Sequence, residues 1–248
     1  MKNPVRESLT RGRVSIGGWL NLSSPLAAEI MASSGLEWLT VDGEHSPFDL
    51  PLIVETFRAI ENRGATPFIR TWDHDPVSLA RLLDAGAYGI IVPHVSTPQQ
   101  AEAIAKAMRY PPTGARSTGT GRIAIYGREY YKIANDEILV IPQIEDMEGI
   151  DNTEAIMSVE GIDVGFLGPG DLSISMGVER GSPSHEEALQ KFADACKKVG
   201  KPYGIPERGL EEIKKRIDQG FQMIDIASDL RTLETGVTTQ LSDVQAFL

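Results

Sequence analysis

Eight short apolar, β-rich runs alternate with helical patterns along the 248 residues, and this rhythm constrains the fold more than any other feature of the chain. The runs lie near Val14–Leu20, Trp38–Val41, Thr66–Ile69, Tyr88–Val92, Ile138–Ile141, Val164–Leu167, Pro202–Gly204 and Met223–Ile226. Helices are predicted between them near Pro25–Ser33, Asp49–Asn62, Pro76–Ala85, Thr97–Met108, Gly149–Ser158, Ser184–Val199 and Leu210–Gln219. A last helix is expected from about Leu230 to the end. Strands that alternate with helices pair in parallel. The nearly all-apolar run Tyr88–Val92 suits a strand covered on both faces. Eight such units in one chain of this length predict a single (β/α)₈ domain over 1–248.

Local signals fit this reading. Pro25, Pro76 and Pro98 stand where a first helical turn would begin. Thr97 and Ser184 are candidate N-caps, the latter with Glu187 three residues on. Gly86 and Gly220 stand where helices should stop. The stretch Tyr110–Lys132 breaks the rhythm with prolines, glycines and tyrosines, as functional or interface excursions do.

A net charge of −11 argues against a general nucleic-acid or anionic-membrane surface. The single cysteine, Cys196, excludes an intramolecular disulfide and a thiolate metal cluster, and its helical setting suggests packing. No apolar stretch is long enough for a membrane span, and no signal-peptide pattern opens the chain, so a cytoplasmic location is expected.

Three apolar runs end abruptly in groups that can ionise or bind a metal. The first leads into Val41-Asp42-Gly43-Glu44-His45-Ser46-Pro47, the second into Gln143-Ile144-Glu145, and the third into Gly168-Pro169-Gly170-Asp171-Leu172-Ser173. In a barrel these endings converge on one mouth. His45 is suited to proton transfer near neutral pH, with Asp84 as a candidate partner that only folding could bring close. A polar turn and a helix-end surface acid are their alternative roles. Glu145 and Asp171, 26 residues apart, could share Mg²⁺ or Mn²⁺, which take oxygen ligands and keep water, with Co²⁺ or Zn²⁺ as further options. Each could instead cap a helix, and Asp146 and Glu148 rival Glu145. Arg70, at a strand end, could bind a carboxylate or enolate oxygen or make a structural ion pair. Gln143 could donate to a substrate oxygen or fill a polar layer. The backbone of Gly168-Pro169-Gly170 could approach a ligand as an anion-binding nest.

Other chemistries lack their residues. Lys106, Lys132, Lys197, Lys198, Lys214 and Lys215 fall in helical segments, and Lys201 precedes its strand, at the wrong end of a barrel. No lysine follows an apolar strand, which disfavours a Schiff base. No G-x-S-x-G occurs, and the glycine-rich stretches match neither nucleotide-binding pattern.

With these residues in view, the chain resembles the HpcH/HpaI aldolases, the class II pyruvate aldolases. The likeness runs from Gly18-Trp19 through Glu37–Pro47, Leu83–Ala87, Tyr110–Arg116 and Gln143–Glu145 to Gly161–Asp163, Gly168–Leu172 and Ser228–Leu230. It implies a barrel assembled as trimers or hexamers, with the last helix exchanged between neighbours. It implies a divalent metal on Glu145 and Asp171, and a 2-oxo acid met by Trp19, Arg70, Gln143 and the amides at Gly170 and Asp171. His45 with Asp84 would move protons, and the partners would be a small 2-oxo acid and an aldehyde. Gly121–Gly127 and Gly204-Ile205-Pro206-Glu207-Arg208 depart from the family pattern, which bears on the aldehyde. Another lyase of the citrate-lyase-like superfamily and a non-catalytic 2-oxo-acid-binding protein stand as alternatives.

Overall fold

A computed structural model describes residues 1–248. Eight parallel strands close into a barrel in chain order. They are β1 (Ser15–Leu20), β2 (Trp38–Asp42), β3 (Thr66–Arg70), β4 (Gly89–Val92), β5 (Leu139–Ile144), β6 (Gly165–Leu167), β7 (Tyr203–Pro206) and β8 (Met223–Ser228). Eleven helices surround them: α1 (Pro4–Thr10), α2 (Pro25–Ala32), α3 (Leu50–Asn62), α4 (Pro76–Asp84), α5 (Pro98–Met108), α6 (Tyr130–Glu137), α7 (Met147–Ser158), α8 (Pro169–Met176), α9 (Pro183–Val199), α10 (Leu210–Asp218) and α11 (Asp229–Phe247).

Side-chain alternation divides the core in two. Ile69, Val41, Ile90 and Val140 face outward and pack with the helices. Trp19, Trp38, Phe68, Ile141 and Phe166 fill the barrel interior. The interior is tight: a Cβ on Gly17 would stand 2.0 Å from the Trp38 ring, so β1 must carry a glycine there. Val5 and Leu9 of α1 join the interior cluster. The Asn3 amide fixes α1 at the strands' N-terminal end, donating to the Tyr88 carbonyl at 3.1 Å and the Glu137 carbonyl at 2.8 Å.

Thr97 closes a capping box with Gln100, and Gly86 and Gly220 adopt positive φ after α4 and α10. Ser184 does not cap a helix: Pro183 takes the first position of α9, which moves the cap to Ser182. Asp171 lies inside the first turn of α8 rather than before it. The excursion after α5 holds a 3₁₀ turn, Arg122–Tyr126, and α6. Cys196 is buried, and burial pushes its thiol up, as packing rather than reactivity requires. No helix is long and apolar enough to cross a membrane.

Candidate active site

Inward parity places the polar groups. On β5, Leu139, Ile141 and Gln143 share the interior face, and the same alternation carried past the strand turns Glu145 inward. Asp146 instead caps α7 through the Gly149 amide at 2.6 Å, and Glu148 sits in that helix's exposed first turn. On β2 and β3, Asp42 and Arg70 stand side by side in register. The site is therefore the topmost inward layer of the barrel, above a floor of aromatic and aliphatic side chains.

Arg70 is fixed rather than free. Its Nε and Nη2 donate to the Asp42 carboxylate at 3.0 and 2.8 Å, its Nη1 meets Glu44 at 3.1 Å, and its guanidinium lies 5.1 Å from the Trp19 ring centroid. Asp42 also accepts the amides of Glu44 at 3.2 Å and His45 at 3.3 Å, so one carboxylate orders both the arginine and the histidine loop. Burial alone would raise the Asp42 carboxyl; the hydrogen bonds and charge of Arg70 outweigh it and hold the group below its ordinary range.

Glu145 has the opposite environment. It is 4% exposed, and no arginine pairs with it. Gln143 donates an amide hydrogen to one of its oxygens, and the His94 amide donates to the other at 2.7 Å. Burial raises the Glu145 carboxyl, these hydrogen bonds oppose the rise, and the neighbouring Asp171 charge adds to it. Asp171 is exposed, beside α8 amides of Gly170 and Asp171 that have no carbonyl one turn back to accept them.

A divalent cation fits these residues. The two acids offer hard oxygen ligands; the His94 ring meets Glu145 Oε1 at 3.0 Å, and no cluster of three or more metal-ligating side chains forms, so water and substrate keep positions. Gln143 Oε1 is buried without a partner, an acceptor left for a ligand. A Cβ on Gly168 would stand 2.6 Å from Glu145 Oε2 and 3.1 Å from Gln143 Nε2, so the glycine keeps this ledge open. Gln143 gives one N–H to Glu145, which leaves its second N–H and its Oε1 for a ligand.

A cavity of about 350 Å³ opens over this layer, lined by Trp19, His45, Arg70, Gln143, Gly170 and Asp171 among others, and by no lysine. Glu145 lies just behind Gln143 and Gly168. Lys201 stays at the opposite mouth, where it donates to the Val159 carbonyl at 3.0 Å and lines a separate cavity of about 580 Å³.

Asp84 does not join His45 within the chain. It ends α4, a helix that starts at the mouth and runs back to the strands' N-terminal side, where it pairs with Arg116 at 2.7 Å. The carboxylate near the exposed His45 ring is Glu44, at 3.6 Å. The sequence reading also missed His94. Its ring nitrogens stand 3.0 Å from Glu44 and 3.0 Å from Glu145, and its φ of +56° is rare for a non-glycine residue. The signal was present: Val92-Pro93-His94 is a further apolar strand ending in a histidine.

A closed parallel barrel with an acid pair, an ordered arginine and a histidine at its C-terminal mouth defines an enzyme for an anionic carbonyl compound. The profile described as HpcH/HpaI aldolase/citrate lyase matches residues 15–235. A 4-hydroxy-2-oxovalerate aldolase from Novosphingobium aromaticivorans is 39% identical over 243 residues, covering 94% of this chain and 91% of that one. A 4-hydroxy-2-oxo-heptane-1,7-dioate aldolase from Klebsiella pneumoniae subsp. pneumoniae is 35% identical over 243 residues, covering 95% and 91%. A crystal structure of a family protein from Burkholderia cenocepacia J2315 superposes with a TM-score of 0.93 at 30% identity, covering 98% and 100%. The chain belongs to the HpcH/HpaI aldolase/citrate lyase family, and with it to the metal-dependent carbon–carbon lyases.

Proposed function

We propose that this protein reversibly cleaves a 4-hydroxy-2-oxo acid to pyruvate, or a close 2-oxo acid, and an aldehyde. The observation that carries the reading is the acid couple Glu145 and Asp171 at the Gly168 ledge, with no arginine or lysine on either, sharing a mouth with Arg70. Those two acids would hold Mg²⁺ or Mn²⁺, which when bound supplies Lewis-acid polarisation of the substrate's 2-oxo group. The free first-turn amides at Gly170 and Asp171 bind the substrate carboxylate. In cleavage, His45 takes the proton of the 4-hydroxyl, the C3–C4 bond breaks and the aldehyde forms. The bonding pair passes to the 2-oxo acid fragment as an enolate, where Arg70 N–H groups stabilise the developing oxyanion. A proton then returns to C3 to give the methyl group of pyruvate.

Asp84 could assist His45 only from a neighbouring copy. We also propose a homotrimer or homohexamer with α11 exchanged between subunits. In support, α11 exposes Leu233, Val237, Leu241 and Val244 along one helical stripe.

Solvent-deuterium exchange into the pyruvate methyl group, paired with calorimetric titration of Mg²⁺ or Mn²⁺, tests the reading. Glu145→Gln and Asp171→Asn should weaken metal binding and abolish exchange, whereas His45→Ala should bind metal and turn over slowly. Normal exchange in the Asp171 variant contradicts the assignment.

A further inference from the structure

The mouth opposite the active site carries an amine that aldol chemistry does not use. Six lysines, Lys2, Lys132, Lys191, Lys198, Lys214 and Lys215, form ion pairs. Lys106 and Lys197 are exposed. Lys201 alone is half-buried, makes no ion pair, and donates only to the Val159 carbonyl, at 3.0 Å. It lines the cavity of about 580 Å³ together with Arg6 and Lys197. The single acid of that lining, Asp163, is engaged elsewhere: it accepts Arg6 at 2.8 Å, the Val140 amide at 2.7 Å and the Arg109 guanidinium. Partial burial outweighs the Asp163 charge and pushes the Lys201 ammonium below its ordinary range, so more of it stands as the free amine.

Arg6 and Lys197 make this cavity a positive spot in a chain of net charge −11. The remaining titratable group of the lining, Tyr203, is pushed up by burial and stays neutral. A reagent with an anionic leaving group is drawn to such a spot. The product fits as well. An acylated Lys201 keeps one N–H for the Val159 carbonyl and loses a charge that no carboxylate neutralises. At the six paired lysines the same reaction would break the pair instead.

We propose that Lys201 is an acylation site for acyl phosphates, with Arg6 and Lys197 holding the phosphate. The free amine attacks the acyl carbon, the N–C bond forms, and the C–O bond to phosphate breaks with its electron pair on the departing oxygen. The extra proton on nitrogen passes to water, leaving an Nε-acyl-lysine and inorganic phosphate. This chemistry is independent of the aldolase activity. The test incubates the whole protein near neutral pH with acetyl phosphate, or with the uncharged p-nitrophenyl acetate, and follows every lysine by mass spectrometry. Acetyl phosphate should modify Lys201 about threefold or more faster than the exposed Lys106. Lys197→Gln should slow acetyl phosphate at Lys201 by about twofold or more and leave the ester rate there unchanged. Acetyl phosphate labelling of Lys201 no faster than Lys106, or a ratio of the two donors at Lys201 that Lys197→Gln leaves unchanged, overturns the proposal.

Discussion

Replacing Gly168 by alanine isolates the metal ledge without touching a ligand. Gly168 has φ −97° and ψ 83°, where its φ is negative and backbone chirality gives no special need for glycine. The added methyl meets its obstacle in space: 2.6 Å from Glu145 Oε2 and 2.8 Å from Glu145 Cβ, against ordinary contact from 3.4 Å outward. Glu145 must retreat by most of an ångström, and it is buried and held on its other oxygen by the His94 amide. Overpacking of this kind costs about 1–3 kcal/mol of stability, too little to unfold an ordinary domain. Displacing a carboxylate ligand should cost more in function, with metal affinity down by about tenfold to a hundredfold, as for lost supporting contacts at metal sites. Mn²⁺ calorimetry beside urea unfolding reads both quantities. Unchanged Mn²⁺ affinity in a folded Gly168→Ala protein would refute the placement of the metal against Glu145.

Two further outcomes concern the ion pairs. Asp42→Asn removes one half of a buried, forked pair and should cost about 3 kcal/mol at neutral pH, a melting-point fall of about 6–12 °C for a chain of this size. Because the Asp42 carboxyl is held below its ordinary 3.8, its contribution is complete above that value and is lost as the pH falls through the lowered one; the gap between the proteins should narrow in acid, and a gap constant with pH refutes the assignment. Glu186, held at about 2 chiefly by hydrogen bonds from Arg216 against an ordinary 4.5, should stabilise the fold above pH 4.5 and lose that effect towards pH 2. Glu186→Gln should therefore flatten the pH dependence of unfolding across that window, which denaturant titrations at stepped pH would register.

The barrel was legible because parallel strands buried on both faces write themselves as separate apolar runs, and each of the eight lies where it was expected. Glu145 and Asp171 were legible as strand endings, but the choice of Glu145 over Asp146 needed the inward parity of Leu139 and Ile141, which only the closed barrel supplies. Arg70 was visible as a strand-end cation; its fork on Asp42 was not, since register between β2 and β3 is a tertiary fact. The pairing of Asp84 with His45 failed on direction within one chain. A helix leaving the mouth after β3 must finish at the other end, so a residue closing α4 cannot return to the loop after β2. Helix α1 escaped notice because its seven residues carry little periodic signal, and its role as a plug depends on what lies beneath it.

One layer of the barrel contains two carboxylates that the fold drives in opposite directions. Asp42 and Glu145 both end inward rows that start apolar, at Trp38 on β2 and at Leu139 and Ile141 on β5, with one neutral polar residue, Thr40 or Gln143, directly beneath each acid, so both are buried where burial penalises charge. Asp42 has the Arg70 fork and is held low; Glu145 is pushed up by burial, with a smaller push from the Asp171 charge, against the opposing Gln143 and His94 hydrogen bonds and the His94 ring. The difference lies in the neighbouring strand: β3 ends in arginine beside Asp42, while β6 passes into glycine beside Glu145. A barrel built only for stability would have supplied Glu145 with a guanidinium as well. It supplies space and the His94 ring instead, and a small, doubly charged cation would relieve two crowded carboxylates in that space. Asp42 thus orders Arg70 and the His45 loop, while Glu145 is left without an arginine, as the proposed metal site requires.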